Sequence, residues 1–274
     1  MAWQRYNLAF RLLSPLHIGY RKVSNLQQTR GYVPGKVLWA ALTARLTRET
    51  ISGAKGTDYE AIGEKVRNNF CFTYLYPALD PAGPSCYPWD DDFTYRFLSS
   101  YASTALNYDH QAAAEGSLHE VEFIRPHARP LNGGESSQVY LVGNLYVNEA
   151  ANSDDKLKHW QEALDCLQLG GERGYGWGRI QPCSDSPKLI GGREDEPQVE
   201  CKTSETIPAH ALATGAKAVT GITGSIEPLV GWERDNEVAT RKWRVSQAII
   251  CYAPGARVTE DTTFTIGHCG ILER

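Results

Sequence analysis

Apolar and polar positions alternate from the start of the chain. Tyr6, Leu8, Phe10 and Leu12 fall on one side of residues 5–13, and Arg5, Asn7, Ala9, Arg11 and Leu13 on the other. A period of two predicts a strand with one buried face and one partly basic face. Ser14-Pro15 ends it, and residues 19–33, rich in Gln, Ser and Arg, read as a loop. Pro34-Gly35 then opens a helix in which Val37, Leu38, Ala41, Leu42 and Leu46 recur at helical spacing. Arg45 and Arg48 sit in its last turns, where cations suit the helix dipole. Pro77, Pro81, Gly83, Pro84 and Pro88 break the following stretch, 51–116, with a helix expected near 92–106. Residues 118–125 alternate again, Asn132-Gly133-Gly134 turns the chain, and 137–147 return as the next strand. Asn152 or Ser153 is placed to cap a helix bearing Leu157, Trp160, Ala163, Leu164 and Leu167, which Gly170-Gly171 stops. A strand resumes around Tyr175–Gln181.

The order strand, helix, strand, strand, helix, strand is that of a ferredoxin-like (RRM-like) βαββαβ core, an α+β fold. On this reading residues 1–183 form the core, with an insertion at about 51–116. The polar stretch 184–198 is a linker or exposed loop. Residues 199–274 are a β-rich C-terminal extension or a second small subdomain, with the clearest strand at 245–252. Tyr252-Ala253-Pro254-Gly255 faintly echoes Tyr32-Val33-Pro34-Gly35.

With 274 residues, 42% hydrophobic and 22% charged, the composition is that of an ordinary globular protein. No apolar run approaches the roughly 18 residues of a membrane span. The start, Met1-Ala2-Trp3-Gln4-Arg5, lacks a signal-peptide core, so a cytoplasmic location without membrane partners is expected. Seven scattered cysteines with no Cys-x-x-Cys pair argue against a disulfide framework and a cysteine zinc site. Charge changes the picture more. Residues 1–48 hold eight basic side chains and no acid, while the whole chain is −4. Either this segment faces a polyanion, or it pairs with acidic loops elsewhere in the fold.

The densest chemistry lies in Leu169-Gly170-Gly171-Glu172-Arg173-Gly174-Tyr175-Gly176-Trp177-Gly178-Arg179. Glycines admit backbone amides to a phosphate, arginines supply forked donors, and Tyr or Trp can stack on unpaired bases. The alternative is a turn that packs a helix closely on a strand. The segment follows a helix and precedes a strand, so it is not a dinucleotide fingerprint, and no Gly-Lys-Ser/Thr marks a phosphate loop.

Three segments together resemble the RAMP superfamily of CRISPR-associated RNA-binding proteins, in that family's order. The first is Ser14-Pro15-Leu16-His17-Ile18-Gly19 with Tyr32-Val33-Pro34-Gly35-Lys36-Val37-Leu38. The second is Tyr108-Asp109-His110 with Ala114–Glu122, similar to the segment leading out of the thumb hairpin in backbone subunits. The third is the Gly-rich stretch 170–179. The resemblance implies a Cas7- or Cas5-like subunit of a type III effector complex. Such a subunit would bind guide RNA and target RNA beside other subunits of the complex, in antiviral defence. It further implies an RNA groove formed by His17, Arg21, Lys22, Arg30, Gly35, Lys36, Gly171, Arg173, Gly174, Tyr175, Gly176, Trp177 and Arg179. The helix opening at Gly35-Lys36 would offer free amides to a phosphate.

Backbone subunits of that family often carry a catalytic aspartate in the loop that here spans residues 20–31, which contains no acid. Metal-assisted cleavage needs such a carboxylate, so the expectation is a non-catalytic subunit with no metal or cofactor. Asp90-Asp91-Asp92 could bind a divalent ion but reads as a solvated loop rather than a metal site. An alternative is a metal-independent guide-processing (Cas6-like) endoribonuclease with His17 as general acid or base. Another is a protein–protein adaptor. His119 is read as core or surface, and His268-Cys269 as too isolated to hold a metal.

Overall fold

The computed structural model describes residues 2–234 and 243–274, so Met1 and part of the 199–274 stretch lie outside the described residues. Strand β1 (Trp3–Leu12) leads to a hairpin of β2 (Gly19–Val23) and β3 (Leu26–Thr29), then to helices α1 (Gly35–Thr50) and α2 (Gly56–Asn69). Strands β4 (Phe70–Phe72) and β5 (Tyr76–Ala78) follow, then helix α3 (Phe93–Phe97), β6 (Leu98–Ser103) and β7 (His119–Ile124). Next come β8 (Tyr140–Asn148), helix α4 (Trp160–Leu164), β9 (Ile180–Pro182) and β10 (Lys188–Glu194).

The central sheet is antiparallel and has four tracks. β1 lies between β8 on one side and β9 with β10 on the other, and β4 with β5 line the far edge of β8. The spatial order fourth, first, third, second is that of the ferredoxin-like sheet, so the expected α+β core is present. Its second strand, however, is not 118–125. It is Phe70–Phe72, reached through α1 and α2, whereas β7 belongs to a separate sheet ordered β2-β3-β7-β6. A helix over 92–106 is also corrected: α3 ends at Phe97, and 98–124 form a long hairpin through β6 and β7. Likewise the expected loop 19–33 is largely the β2–β3 hairpin. Part of 184–198 is β10, which continues the β9 track along β1.

Alternation explains why the sheet buries both faces. Leu8, Phe10 and Leu12 are fully buried against the helices, as are Leu141, Leu145 and Val147 of β8. Leu38, Leu42 and Leu46 make one stripe of α1 that covers them. Each such side chain contributes roughly 1.5–3 kcal/mol. Phe70 and Phe72 face the same core, while Cys71 between them faces the opposite layer. The apolar set 157–167 is buried as expected, although only Trp160–Leu164 is regular helix. Asn148, not Asn152 or Ser153, caps the turn before it by accepting from the Ala150 amide, and Asn152 instead accepts from the Trp160 indole.

The opposite face of the sheet is roofed by a second one. β11 (Gln198–Cys201), β12 (Ala211–Leu212), β13 (Ile226–Leu229), β14 (Ile249–Tyr252), β15 (Thr262–Ile266) and β16 (Leu272–Glu273) pair in the order β11-β15-β16-β12-β14-β13. Tyr32, Tyr74, Tyr76 and Tyr146 of the first part pack with Ile207, Phe264 and Leu272 of this roof. The Tyr252–Gly255 echo opens no helix, because Gly255 lies in a turn with φ +91° against the Trp89 ring. Among the described residues no helix is long and apolar enough to cross a membrane.

Candidate nucleic-acid interface

Ser14–Gly19 and the Gly-rich stretch meet directly, through pairs as far as 165 residues apart in sequence. The Gly178 amide donates to the Pro15 carbonyl (2.7 Å), the Gly171 amide to the His17 carbonyl (2.8 Å) and the Arg179 amide to Ser14 Oγ (2.9 Å). Two glycines make the contact possible. Gly170 and Gly178 adopt φ +74° and +76°, and a Cβ would lie 2.2 Å from the His17 carbonyl oxygen and 1.8 Å from that of Leu169. No other residue fits either position without moving the backbone.

His17 is buried in this junction, with Nδ1 2.7 Å from the Glu122 carbonyl oxygen and the Gly171 backbone packed against its ring. It therefore ties β7 to the Gly-rich stretch. The Glu122 carboxylate accepts from the Thr29 amide (2.9 Å), closing the same junction from the β2–β3 side. Beyond the junction, Arg173, Gly174, Tyr175, Gly176 and Arg179 are exposed, with Tyr175 82% open to solvent. Trp177 is half-buried, edge-on to Phe123 of β7 with ring centroids 5.0 Å apart. Phe123 escaped the sequence reading, although its place in the alternating 118–125 strand marks it as facing one side.

Arg21 and Lys22 are exposed on β2, which leaves the junction at Gly19. Arg21 donates to Gln28 and lies 5.3 Å from the Tyr20 ring centroid. Among the described residues none of Arg21, Lys22, Arg173 and Arg179 forms an ion pair, whereas Arg45 pairs with Glu49. Three residues of the implied groove sit elsewhere. Arg30 is mostly buried and paired with Glu227 at 2.7 Å. Gly35 lies under the Cys269 and Phe72 carbonyls, 2.4 and 2.7 Å from where a Cβ would stand, so no phosphate reaches the backbone there. Lys36 is exposed beside Gly231, on the side of the C-terminal roof.

Arg30 belongs to a polar network under that roof. Glu227 accepts from Arg30 and from His210 Nε2 (2.5 Å), the Tyr74 hydroxyl meets His210 Nδ1 at 2.7 Å, and Arg30 also donates to the Tyr32 hydroxyl. Burial alone would raise the Glu227 carboxyl, but the hydrogen bonds from His210 and Arg30 outweigh it and hold its pKa down to about 2. Burial lowers the pKa of His210, against the pull of Glu227, so the neutral ring is favoured. His210 and Glu227 were not singled out in the sequence because nothing local marks them.

The other candidates resolve as local structure. Asp90 accepts from the Tyr87 amide, and Asp90, Asp91 and Asp92 are exposed before α3. His119 bonds Ser103 across the long hairpin, and Asp109 sits at its exposed tip. His268 touches Cys269 Sγ through Nε2 and packs edge-on against Trp39. Among the described residues no group of three or more His, Cys, Asp or Glu is placed to hold a metal ion.

No family model matches the sequence, and no curated protein matches it. Solved structures do match. A chain of the cryo-EM structure of the type III-B Cmr-beta complex bound to cognate target RNA and AMPPnP, state 1, superposes with a TM-score of 0.51 at 10% identity. The match covers 92% of this chain and 85% of that one. A chain of the same complex bound to cognate target RNA has a TM-score of 0.42 at 10% identity, covering 65% of this chain and 96% of the other. At such identity the likeness is one of fold. The α+β architecture implied by the RAMP resemblance is thus shared with a chain of a type III CRISPR complex.

Proposed function

We propose that the chain is a non-catalytic RNA-binding subunit of a type III CRISPR ribonucleoprotein. It would hold guide RNA, with target RNA and neighbouring subunits as further partners, in the cytoplasm. The observation that carries this is the junction of Ser14–Gly19 with 169–179. It fixes a rigid base from which Arg173, Tyr175 and Arg179 project, next to the β2 strand bearing Arg21 and Lys22. Cations that form no ion pair among the described residues, with an exposed aromatic, suit phosphates and a stacked base. Fold kinship with a chain of an RNA-bound Cmr complex supports the reading, as does the acid-free 20–31 hairpin.

Arg21→Ala with Lys22→Ala is expected to weaken single-stranded RNA binding uniformly across sequences. It should reduce the slope of log K against log salt by about 1.4, since each lost phosphate contact removes about 0.7. Fluorescence anisotropy from 50 to 300 mM salt measures this, and an unchanged slope would show that the β2 cations do not touch RNA. Labelled repeat RNA in EDTA tests the processing-nuclease alternative: binding without cutting is expected, and site-specific cleavage would overturn the non-catalytic assignment. Association with neighbouring subunits but no RNA crosslink would instead mark an adaptor.

A further inference from the structure

The sheet face turned away from the helices is where an RRM-type sheet stacks bases, from its first and third strands. Here those strands are β1 and β8, and the C-terminal roof does not close tightly over them. A cavity of about 480 Å³ remains between the two layers, within the roughly 300–1,000 Å³ of small-molecule sites. Its walls include Tyr74, Tyr76, Tyr87 and Tyr146. The exposed Gln198 and Glu200 line it as well, so it opens to solvent at that end.

Charge inside the cavity is of both signs. Arg5 of β1 lies with its guanidinium carbon 5.8 Å from the Tyr146 ring centroid, and its Nε is buried with no hydrogen-bond partner among the described residues. Glu194 of β10 lines the same cavity, and its charge acts on Tyr146 in the opposite sense to that of Arg5. Asn144 and Gln198 add amide groups. A buried guanidinium nitrogen without a partner seeks acceptors, and the carboxylates of Glu194 and Glu200 in the same lining seek donors. Two glutamates also disfavour a phosphate.

We infer that this cavity binds a guanine base. Guanine presents two adjacent acceptors, N7 and O6, on one edge, which an arginine fork matches, and two adjacent donors, N1–H and the 2-amino group, on another for Glu194 or Glu200; no other of the four bases combines the two edges. The tyrosines supply the flat apolar walls. The shared chemistry is the base, whether it arrives as a free nucleoside or extruded from bound RNA. The second source rests on the RNA-binding function proposed above; the first does not.

Calorimetry of the full chain with guanosine, adenosine, inosine and 7-deazaguanosine tests the site. Guanosine is expected to bind. 7-Deazaguanosine, which lacks N7, and inosine, which lacks the 2-amino group, should each bind roughly tenfold or more weakly, and adenosine weaker still. These ligand changes need no altered protein, so a misfolded variant cannot blur them. Arg5→Gln should weaken guanosine binding by a similar factor at an unchanged melting temperature. Two arms separate the sources. If guanosine competes with RNA, and replacing one guanosine of the RNA by 7-deazaguanosine weakens binding, the base comes from RNA. If guanosine binds without affecting RNA, the ligand is the free nucleoside. RNA binding with no guanosine binding, or equal affinity for guanosine and adenosine, would overturn the inference while leaving the proposed function standing. Guanosine binding with no RNA binding would do the reverse.

Discussion

Glu227→Ala is expected to cost about 3 kcal/mol, on the order of 10 °C in melting temperature. The change removes the common acceptor of Arg30 and His210 and leaves Arg30, whose side chain is only 13% exposed, without its counter-charge. A stranded buried charge is what makes breaking one partner costly, more than any net worth of the pair. Glu227→Gln keeps an acceptor and should cost less. Arg30→Met with Glu227→Leu should cost less than the sum of the two single changes, because neither charge is then stranded. Acidity reads the same network. Glu227 is held at about 2 against an ordinary 4.5, so the stability it contributes is present above pH 4.5 and is lost as pH falls toward 2. His210 is held below its ordinary 6.5. Below that pH the unfolded chain takes up a proton that the folded chain refuses, so its effect has the same sign and begins earlier. Thermal melts from pH 7 to pH 3 should therefore show the gap between the parent and Glu227→Gln narrowing as pH falls. A constant gap would mean that Glu227 titrates alike in the folded and unfolded chain.

How far these features were legible in the sequence depends on whether local pattern or distant pairing creates them. β1, α1 and β8 carry strong periodicity over long runs, and each is where its pattern places it. Leu157, Trp160, Ala163 and Leu164 were found as a buried set because tertiary contact preserves the stripe even where the helix is a single turn. In contrast, α2 buries only Ile62, Gly63 and Val66 among polar residues, and β4 has three residues, too few to show a period. With β4 unseen, the alternating 118–125 run stood in for it, although that run pairs with β3 and β6 instead. Alternation reports that a strand has two unlike faces, not which sheet it joins. The candidate site shows the same division. The Gly-rich stretch and the Pro-Leu-His-Ile-Gly turn are locally conspicuous, and the structure joins them. The burial of Arg30 depends on Glu227, 197 residues away. The positive segment 1–48 is therefore not one surface: Arg21 and Lys22 face solvent on β2, Arg45 pairs with Glu49 on its own helix, and Arg30 is internal structure.

Within the Gly-rich stretch, substitutions are expected to separate folding from binding. Gly178→Ala places a methyl 1.8 Å from the Leu169 carbonyl oxygen, on a backbone at φ +76°. The left-handed conformation alone costs an L-residue roughly 1–2 kcal/mol, and displacing packed backbone adds about 1–3 kcal/mol. The Leu169–Gly178 and Gly178–Pro15 hydrogen bonds, both 2.7–2.8 Å, would be strained by the same shift. Gly178→Ala should therefore lower the melting temperature and weaken RNA binding together, and Gly170→Ala should resemble it, with its Cβ 2.2 Å from the His17 carbonyl oxygen. Gly174 stands on the exposed rim with open space around it, and its φ lies outside the left-handed region. Gly174→Val should melt with the parent protein, because nothing in the fold meets the added carbons. If RNA backbone runs over the rim between Arg173 and Tyr175, the same valine blocks its approach, and affinity falls with stability intact. Tyr175→Ala removes an exposed ring whose stacking on one base is worth about 1–3 kcal/mol, roughly 5- to 150-fold in affinity. Melting curves and anisotropy on these four variants give a two-by-two outcome. Loss of stability and binding at 170 and 178, with loss of binding alone at 174 and 175, places RNA on the rim. Parent-like affinity in both Gly174→Val and Tyr175→Ala would show that the stretch only joins the last core strand to the Ser14–Gly19 turn and that RNA, if bound, lies elsewhere.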